Sequence, residues 1–173
     1  MIISKELEYA INAQIGSEFG ASMQYLEIAS YFDGEDLNNF ATLFFEQAAE
    51  ERMHAMKFLH FLLDANASVT IPEIAKPKAV FASAEEAVSA ALAWEKDVTQ
   101  QIYDLMDIAV QDKDYISQQF LDWYVAEQLE EISKMSTILG IVRKAGDNLL
   151  LAEQLIVNLP AGGAAAPGMG EAE

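Results

Sequence analysis

Glutamates stand at core-facing positions of an otherwise apolar helical seam, and they recur at one spacing. Glu18 is followed 33 positions later by Glu51-Arg52-Met53-His54, and Glu95 is followed 33 positions later by Gln128-Leu129-Glu130-Glu131. A helix that turns a carboxylate inward at mid-length can join a bundle only if the charge is compensated. Left alone in a low-dielectric core, it costs several kcal/mol. The seams carry too few cations for this, so bound metal is the expected compensation.

The rest of the chain reads as helices able to bring these residues together. Apolar or small residues recur at helical steps from Leu7 through Ile11, Ala21, Tyr25, Ile28 and Phe32, with Gln14 and Glu18 in the missing places. This predicts a helix over about Ser4 to Asp33. Gly34-Glu35 is the turn to a second helix, about Asp36 to Ala65, on the seam Leu37, Phe40, Phe44, Gln47, Glu51, His54, Phe58 and Phe61. From Asn66 to Ala82 the periodicity vanishes, and Pro72 and Pro77 favour extended backbone. Seventeen extended residues reach roughly 56 Å, more than the about 45 Å length of a 30-residue helix, so this crossover can return along a whole bundle. Ser83-Ala84-Glu85-Glu86 has the capping-box pattern and opens a third helix to about Asp112, on Val88, Ala91, Glu95, Val98, Ile102, Leu105 and Ala109. Asp112-Lys113-Asp114 turns into a fourth, on Leu121, Tyr124, Gln128, Glu131, Met135, Ile138 and Val142, ending near Ala145 with Gly146 as terminator.

Two hairpins joined by one long crossover make an all-α four-helix bundle. A short fifth helix, Asn148 to Leu159, is apolar around most of its circumference. Burial against neighbouring subunits is the expectation, although folding back on its own chain would satisfy the same pattern. Residues 1–159 form one domain, and the Ala/Gly-rich segment 160–173, which begins with Pro160, is expected to be disordered.

Each of Glu18, Glu51 with His54, Glu95, and Gln128 with Glu131 lies near the middle of its helix, so all converge at one level. Residues three apart share a helix face, which lets Glu51 and His54 reach one ion, and Gln128 and Glu131 likewise. Four carboxylates and an imidazole suit two divalent cations; hard oxygen donors with one nitrogen fit iron or manganese, and zinc would also bind. A single seam glutamate often only fixes register in a bundle. The shared spacing of the whole set points to metal instead.

Composition narrows the partners. With 28 acidic against 10 basic residues, the net charge of −18 repels nucleic acid and anionic membranes and favours cations. No cysteine is present, which excludes disulfides, thiolate zinc sites and iron–sulfur clusters. No stretch approaches the ~20 apolar residues of a membrane span, and a soluble, cytoplasmic protein is expected.

The constellation resembles the di-iron carboxylate bundles, which carry a Glu on each of two helices and Glu-x-x-His on each of the other two. It departs from them on the fourth helix, where Gln128-x-x-Glu131 replaces Glu-x-x-His, as in the prokaryotic non-haem ferritins. That likeness includes Tyr25, the run from Glu51 through Met56 and the run from Phe120 through Glu131. It implies a ferroxidase that oxidises Fe(II) with dioxygen or peroxide and stores ferric mineral in a shell of about 24 subunits. By the same resemblance, Glu18, Glu51 and His54 would hold one iron and Glu51, Glu95 and Glu131 the other, with Gln128 beside the pair. Glu50, Glu127 and Glu130 match a third iron site, their alternative being solvated helix charge.

Tyr25 and Trp123 are either core aromatics or groups acting near the metals. His60 lies off the seam and is expected at the surface. Met23, Met53, Met56, Met106 and Met135 are read as packing. Haem is not expected, because Arg52 and Gln128-x-x-Glu131 stand where the haem-binding relatives of this fold usually carry methionine and a second Glu-x-x-His. A cysteine-dependent peroxidase of the rubrerythrin type lacks its cysteine here. A miniature shell of the starvation-protein type would place its metals between subunits and lack the fifth helix. A metal-free scaffold is the alternative of a different class.

Overall fold

Capping side chains begin the helices where the sequence places them. In the computed structural model, which describes residues 2–159, Ser4 Oγ accepts from Leu7 N at 3.2 Å and opens α1, Lys5–Gly34. Ser83 Oγ accepts from Glu86 N at 3.1 Å and opens α3, Ala84–Gln111. The carboxylate of Glu86 returns to Ala82 N at 2.6 Å, one residue further out than in a standard capping box. Asp114 caps α4, Tyr115–Ala145, and Gly146 ends it with φ +56°, a backbone that residues with a Cβ rarely adopt.

The second helix, α2, spans Asn38–Asp64 and starts later than the expected Asp36, because Asp36 takes a left-handed backbone in the turn, with φ 58°. Its N-cap, Leu37, has no side chain to offer. Glu153 of α5, Leu149–Ile156, supplies the missing acceptor: its Oε1 accepts from Asn39 N at 2.7 Å and Phe40 N at 3.1 Å. The fifth helix is thus shorter than expected and folds back on its own chain, burying Ala152 and Ile156 against α2 and α4. Leu150, Leu151, Leu155 and Val157 remain exposed on its outer side. The segment 160–173 lies outside the described residues.

The crossover runs along α1 and is fastened by side-chain amides where no strand is available to pair with it. Asn12 donates to Ser68 O at 2.9 Å and accepts from Thr70 N at 2.5 Å; Gln24 donates to Lys78 O at 2.9 Å and accepts from Lys78 N at 2.8 Å. Between these ties Gly16 lets Pro72 approach so closely that a Cβ there would lie 2.3 Å from the proline ring, while at Gly20 the nearest atom, on Trp94, would be 3.1 Å away.

The core divides into two apolar clusters. One gathers Tyr25, Phe32, Phe40, Phe44, Met135 and Ile138; the other gathers Leu7, Ile11, Phe58, Leu62, Ile102 and Tyr124. Of the methionines, Met135 is fully buried as expected, whereas Met23 and Met53 are 41% and 66% exposed. Helical spacing alone did not separate the inward from the outward face for those two. Among the described residues no helix is long and apolar enough to cross a membrane.

Replacing Gly16 by alanine should destabilise the fold by about 1–2 kcal/mol, because the clash with Pro72 exceeds the gain in helix propensity. Gly20→Ala should be close to neutral. Thermal and denaturant unfolding of the two variants measures the difference.

Candidate metal centre

Between the two apolar clusters lies a single polar layer, to which each of the four long helices contributes at mid-length. Glu18 from α1, Glu51 and His54 from α2, Glu95 from α3, and Gln128 and Glu131 from α4 are each no more than 3% exposed. Every group sits where helical periodicity turns it inward, so its apolar neighbours on the seam fix its position.

The outer sides of the carboxylates are held mainly by neutral donors. Gln14 Nε2 donates to Glu18 Oε1 at 2.9 Å, and Gln47 Nε2 donates to Glu131 Oε2 at 2.7 Å. Glu95 accepts from the Tyr25 hydroxyl and, at 3.1 Å, from Gln128 Nε2, which also lies 3.2 Å from Thr99 Oγ1. His54 Nδ1 is 3.2 Å from Glu51 Oε2, and the imidazole ring meets Trp123 and Tyr124 edge to face. Tyr124 in turn donates its hydroxyl to the His54 carbonyl at 2.8 Å. Glu18 Oε2 and Glu51 Oε1 are buried with no hydrogen-bond partner.

The free oxygens point to what the layer can hold. Glu18, Glu51 and His54 each bring a ligand atom within 4.8 Å of the others, and so do Glu51, Glu95 and Glu131. Glu51 belongs to both triads, and a carboxylate has two oxygens with which to serve two ions. A third group joins Glu50 and Glu127 to His54 at the same limit. Glu130 is exposed and belongs to none of the three groups. It shares a helix face with Glu127, three positions earlier, and adds to the charge around it, but lies at the exposed edge of that face. His60 is exposed as expected; Trp123 is partly exposed, with Lys57 lying over its ring.

Electrostatics agree with a site awaiting positive charge. Burial, then repulsion from Glu51, holds Glu18 well above the usual carboxylate range. Burial, then Glu95 and Glu131, does the same for Glu51. Burial raises Glu95 to about 7, even though Tyr25 and Gln128 bond its charged form. Glu127 is raised by burial and by Glu50. A divalent cation would relieve each of these, so the residues present fit hard divalent metal ions.

One lysine reaches the layer, too few for four carboxylates. Lys134 Nζ lies 3.0 Å from Glu131 Oε1, 2.7 Å from Gln47 Oε1 and 3.5 Å from Glu50 Oε2. It follows Glu131 by three positions, a spacing that places two residues on one helix face, so this neighbour was available to sequence reasoning. Gln14 and Gln47, read as seam residues, hold two of the buried carboxylates: Gln14 bonds Glu18 one turn later on its own helix, whereas Gln47 reaches Glu131 on α4, which its own seam could not reveal. Glu18, Glu51 and Glu95 remain without a lysine or arginine partner.

A family model described as a ferritin-like domain matches residues 8–145. Over 146 residues the chain is 42% identical to Ferritin BfrB of Mycolicibacterium smegmatis, covering 84% of this chain and 81% of that protein. Over 147 residues it is 38% identical to a bacterial non-heme ferritin of Staphylococcus epidermidis, covering 85% and 89%. The fold superposes with a TM-score of 0.86 on an open pore ferritin from the hyperthermophilic archaeon Archaeoglobus fulgidus, at 34% identity and covering 91% of this chain and 97% of that one.

A carboxyl whose pKa rises on folding binds a proton in the folded state that the unfolded chain has released, so stability falls as pH rises between the two values. For Glu95 that window runs from its ordinary value of 4.5 to about 7. The metal-free protein should therefore lose on the order of 1–3 kcal/mol of stability across this window. Zn(II) should oppose the loss, because it binds the deprotonated carboxylates and its stabilisation grows with pH. Thermal unfolding across a pH series, with chelator and with Zn(II), measures both slopes.

Proposed function

This chain belongs to the ferritin family, and from that premise we propose that it oxidises Fe(II) at an intrasubunit two-iron centre and stores the ferric product as mineral inside a hollow shell. The observation that carries the reading is Glu51, shared by two buried triads, with one of its oxygens and one of Glu18 left unpartnered. Iron is here substrate and cargo. Glu18, Glu51 and His54 bind one Fe(II); Glu51, Glu95 and Glu131 bind the other, Glu51 bridging them.

Each Fe(II) gives one electron, and dioxygen or peroxide accepts the pair; the ions carry the redox chemistry and the protein fixes their positions. Gln128 orients Glu95 without adding charge. Tyr25, bonded to the same carboxylate, stands where its hydroxyl can give a hydrogen bond or an electron beside the pair. Glu50 and Glu127, with Glu130 at the exposed end, make a third iron site through which ions pass. The shell is a closed assembly of about 24 copies, to which the exposed leucines of α5 contribute contacts. The protein works without haem in the cytoplasm, and residues 1–159 are its single domain.

Mixing the apoprotein with Fe(II) in air should give ferric absorbance far faster than buffer does. Glu18→Ala and His54→Ala should each slow that phase by roughly 10–100-fold while leaving the helical circular dichroism intact. Wild-type rates in both variants would move the centre elsewhere. Light scattering should report an assembly many times the 19.1 kDa subunit; a monomer mass would defeat the shell.

A further inference from the structure

The two metal triads differ in one respect that the ligand residues do not reveal. No lysine or arginine bonds to Glu18 or Glu51, the carboxylates of the first triad; the one basic group beside them is their fellow triad member His54, with Nδ1 3.2 Å from Glu51 Oε2. In the second, Glu131 already carries an ammonium. Lys134 Nζ has three oxygens around it, on Glu131, Gln47 and Glu50, which matches the three donors of a lysine head group. Two of those oxygens come from α2 and one from α4. No Cα of α2 lies within 8 Å of a Cα of α4, so this seam is closed by side chains rather than by backbone contact.

Lys134 also stands at a way in. A groove of about 440 Å³ between α2, α4 and α5 is lined by Glu46, Gln47, Glu50 and Lys134. The lysine side chain is 25% exposed, whereas that of Glu131, directly behind it, is 1% exposed. Its long stem can turn into the groove and leave Glu131 free.

Resting on the two-iron reading above, we infer that Lys134 is a displaceable internal counter-cation: it occupies Glu131 and Glu50 until a divalent ion replaces it, and so makes the Glu51–Glu95–Glu131 position the weaker one, filled second. The physical reason is direct. A divalent ion reaching Glu131 meets an ammonium 3.0 Å from its ligand oxygen and must either accept the repulsion or expel the lysine; an ion at Glu18, Glu51 and His54 meets neither cost. The arrangement also keeps the metal-free bundle folded, since it neutralises one of the buried carboxylates when no ion is present.

The test is titration of the metal-free, full-length protein with Zn(II), which has no redox chemistry, followed by calorimetry. Wild type should bind one ion tightly and a second at least ~10-fold more weakly. Glu131→Gln should abolish the second step, which assigns it. Lys134→Met, which keeps the apolar stem and removes the charge, should bring the second affinity to within about threefold of the first, while Lys134→Arg should keep the two steps apart. The metal-free Lys134→Met variant should also melt below wild type and recover on adding Zn(II). If Lys134→Met shows the wild-type isotherm, or binds the second ion more weakly, the inference is overturned and the two-iron reading stands. If the tightening persists in Lys134→Met combined with Glu131→Gln, it belongs to Glu50, and the ordering role of Lys134 at the second position is likewise overturned. Should wild type itself take up no Zn(II), the two-iron reading fails and this inference fails with it.

Discussion

Four carboxylates in the middle of a helical bundle are the condition to which the rest of this structure answers. They cannot be solvated, since the helices that carry them are packed on both sides by apolar side chains, and they cannot be paired off, since one lysine reaches them. The bundle holds them by three means. Glutamine amides and a tyrosine hydroxyl bond Glu18, Glu95 and Glu131, burial favours the protonated form of Glu18, Glu51 and Glu95, and Lys134 pairs with Glu131. Two oxygens remain unserved, at Glu18 and Glu51, and both residues belong to the buried triads.

Aromatic packing gives that layer its rigidity. On one side Phe32 stacks on Phe40 and Phe44, with ring centroids 4.7 Å and 5.5 Å apart; on the other Phe58 stacks on Tyr124 at 4.1 Å. Tyr124 also bonds the His54 carbonyl, so a core aromatic and a candidate ligand are positioned by one contact. Large rigid side chains on both sides restrict the small movements that would spoil ligand geometry. The α2–α4 seam is the exception. There the backbones stand apart, lysine and glutamine side chains close the space, and those side chains line a groove on its outer side.

Most of the architecture was legible because the signals were local. Ser4, Ser83 and Asp114 begin helices through bonds made within the next three residues, and the inward positions follow from periodicity alone. Where a feature depended on residues distant in the chain, local reading fell short. The start of α2 is capped by Glu153, more than a hundred positions away, and with that contact the inner side of the fifth helix packs on its own bundle, the alternative that the apolar pattern left open. Met23 and Met53 obey helical spacing yet face outward.

The sequence by itself determined which helices would form and which carboxylates, amides and imidazole their seams would turn inward at one level. The repeated spacing puts buried glutamates inside an apolar seam, and each of the four long helices carries its share at mid-length. What tertiary structure decided was how unequal the two halves of the candidate centre are. Glu51 is shared, His54 faces two groups at once, and Lys134 loads only one triad. These are relations across helices, set by the distance between α2 and α4 and by which long side chains can span it, and a one-dimensional pattern holds no measure of that distance.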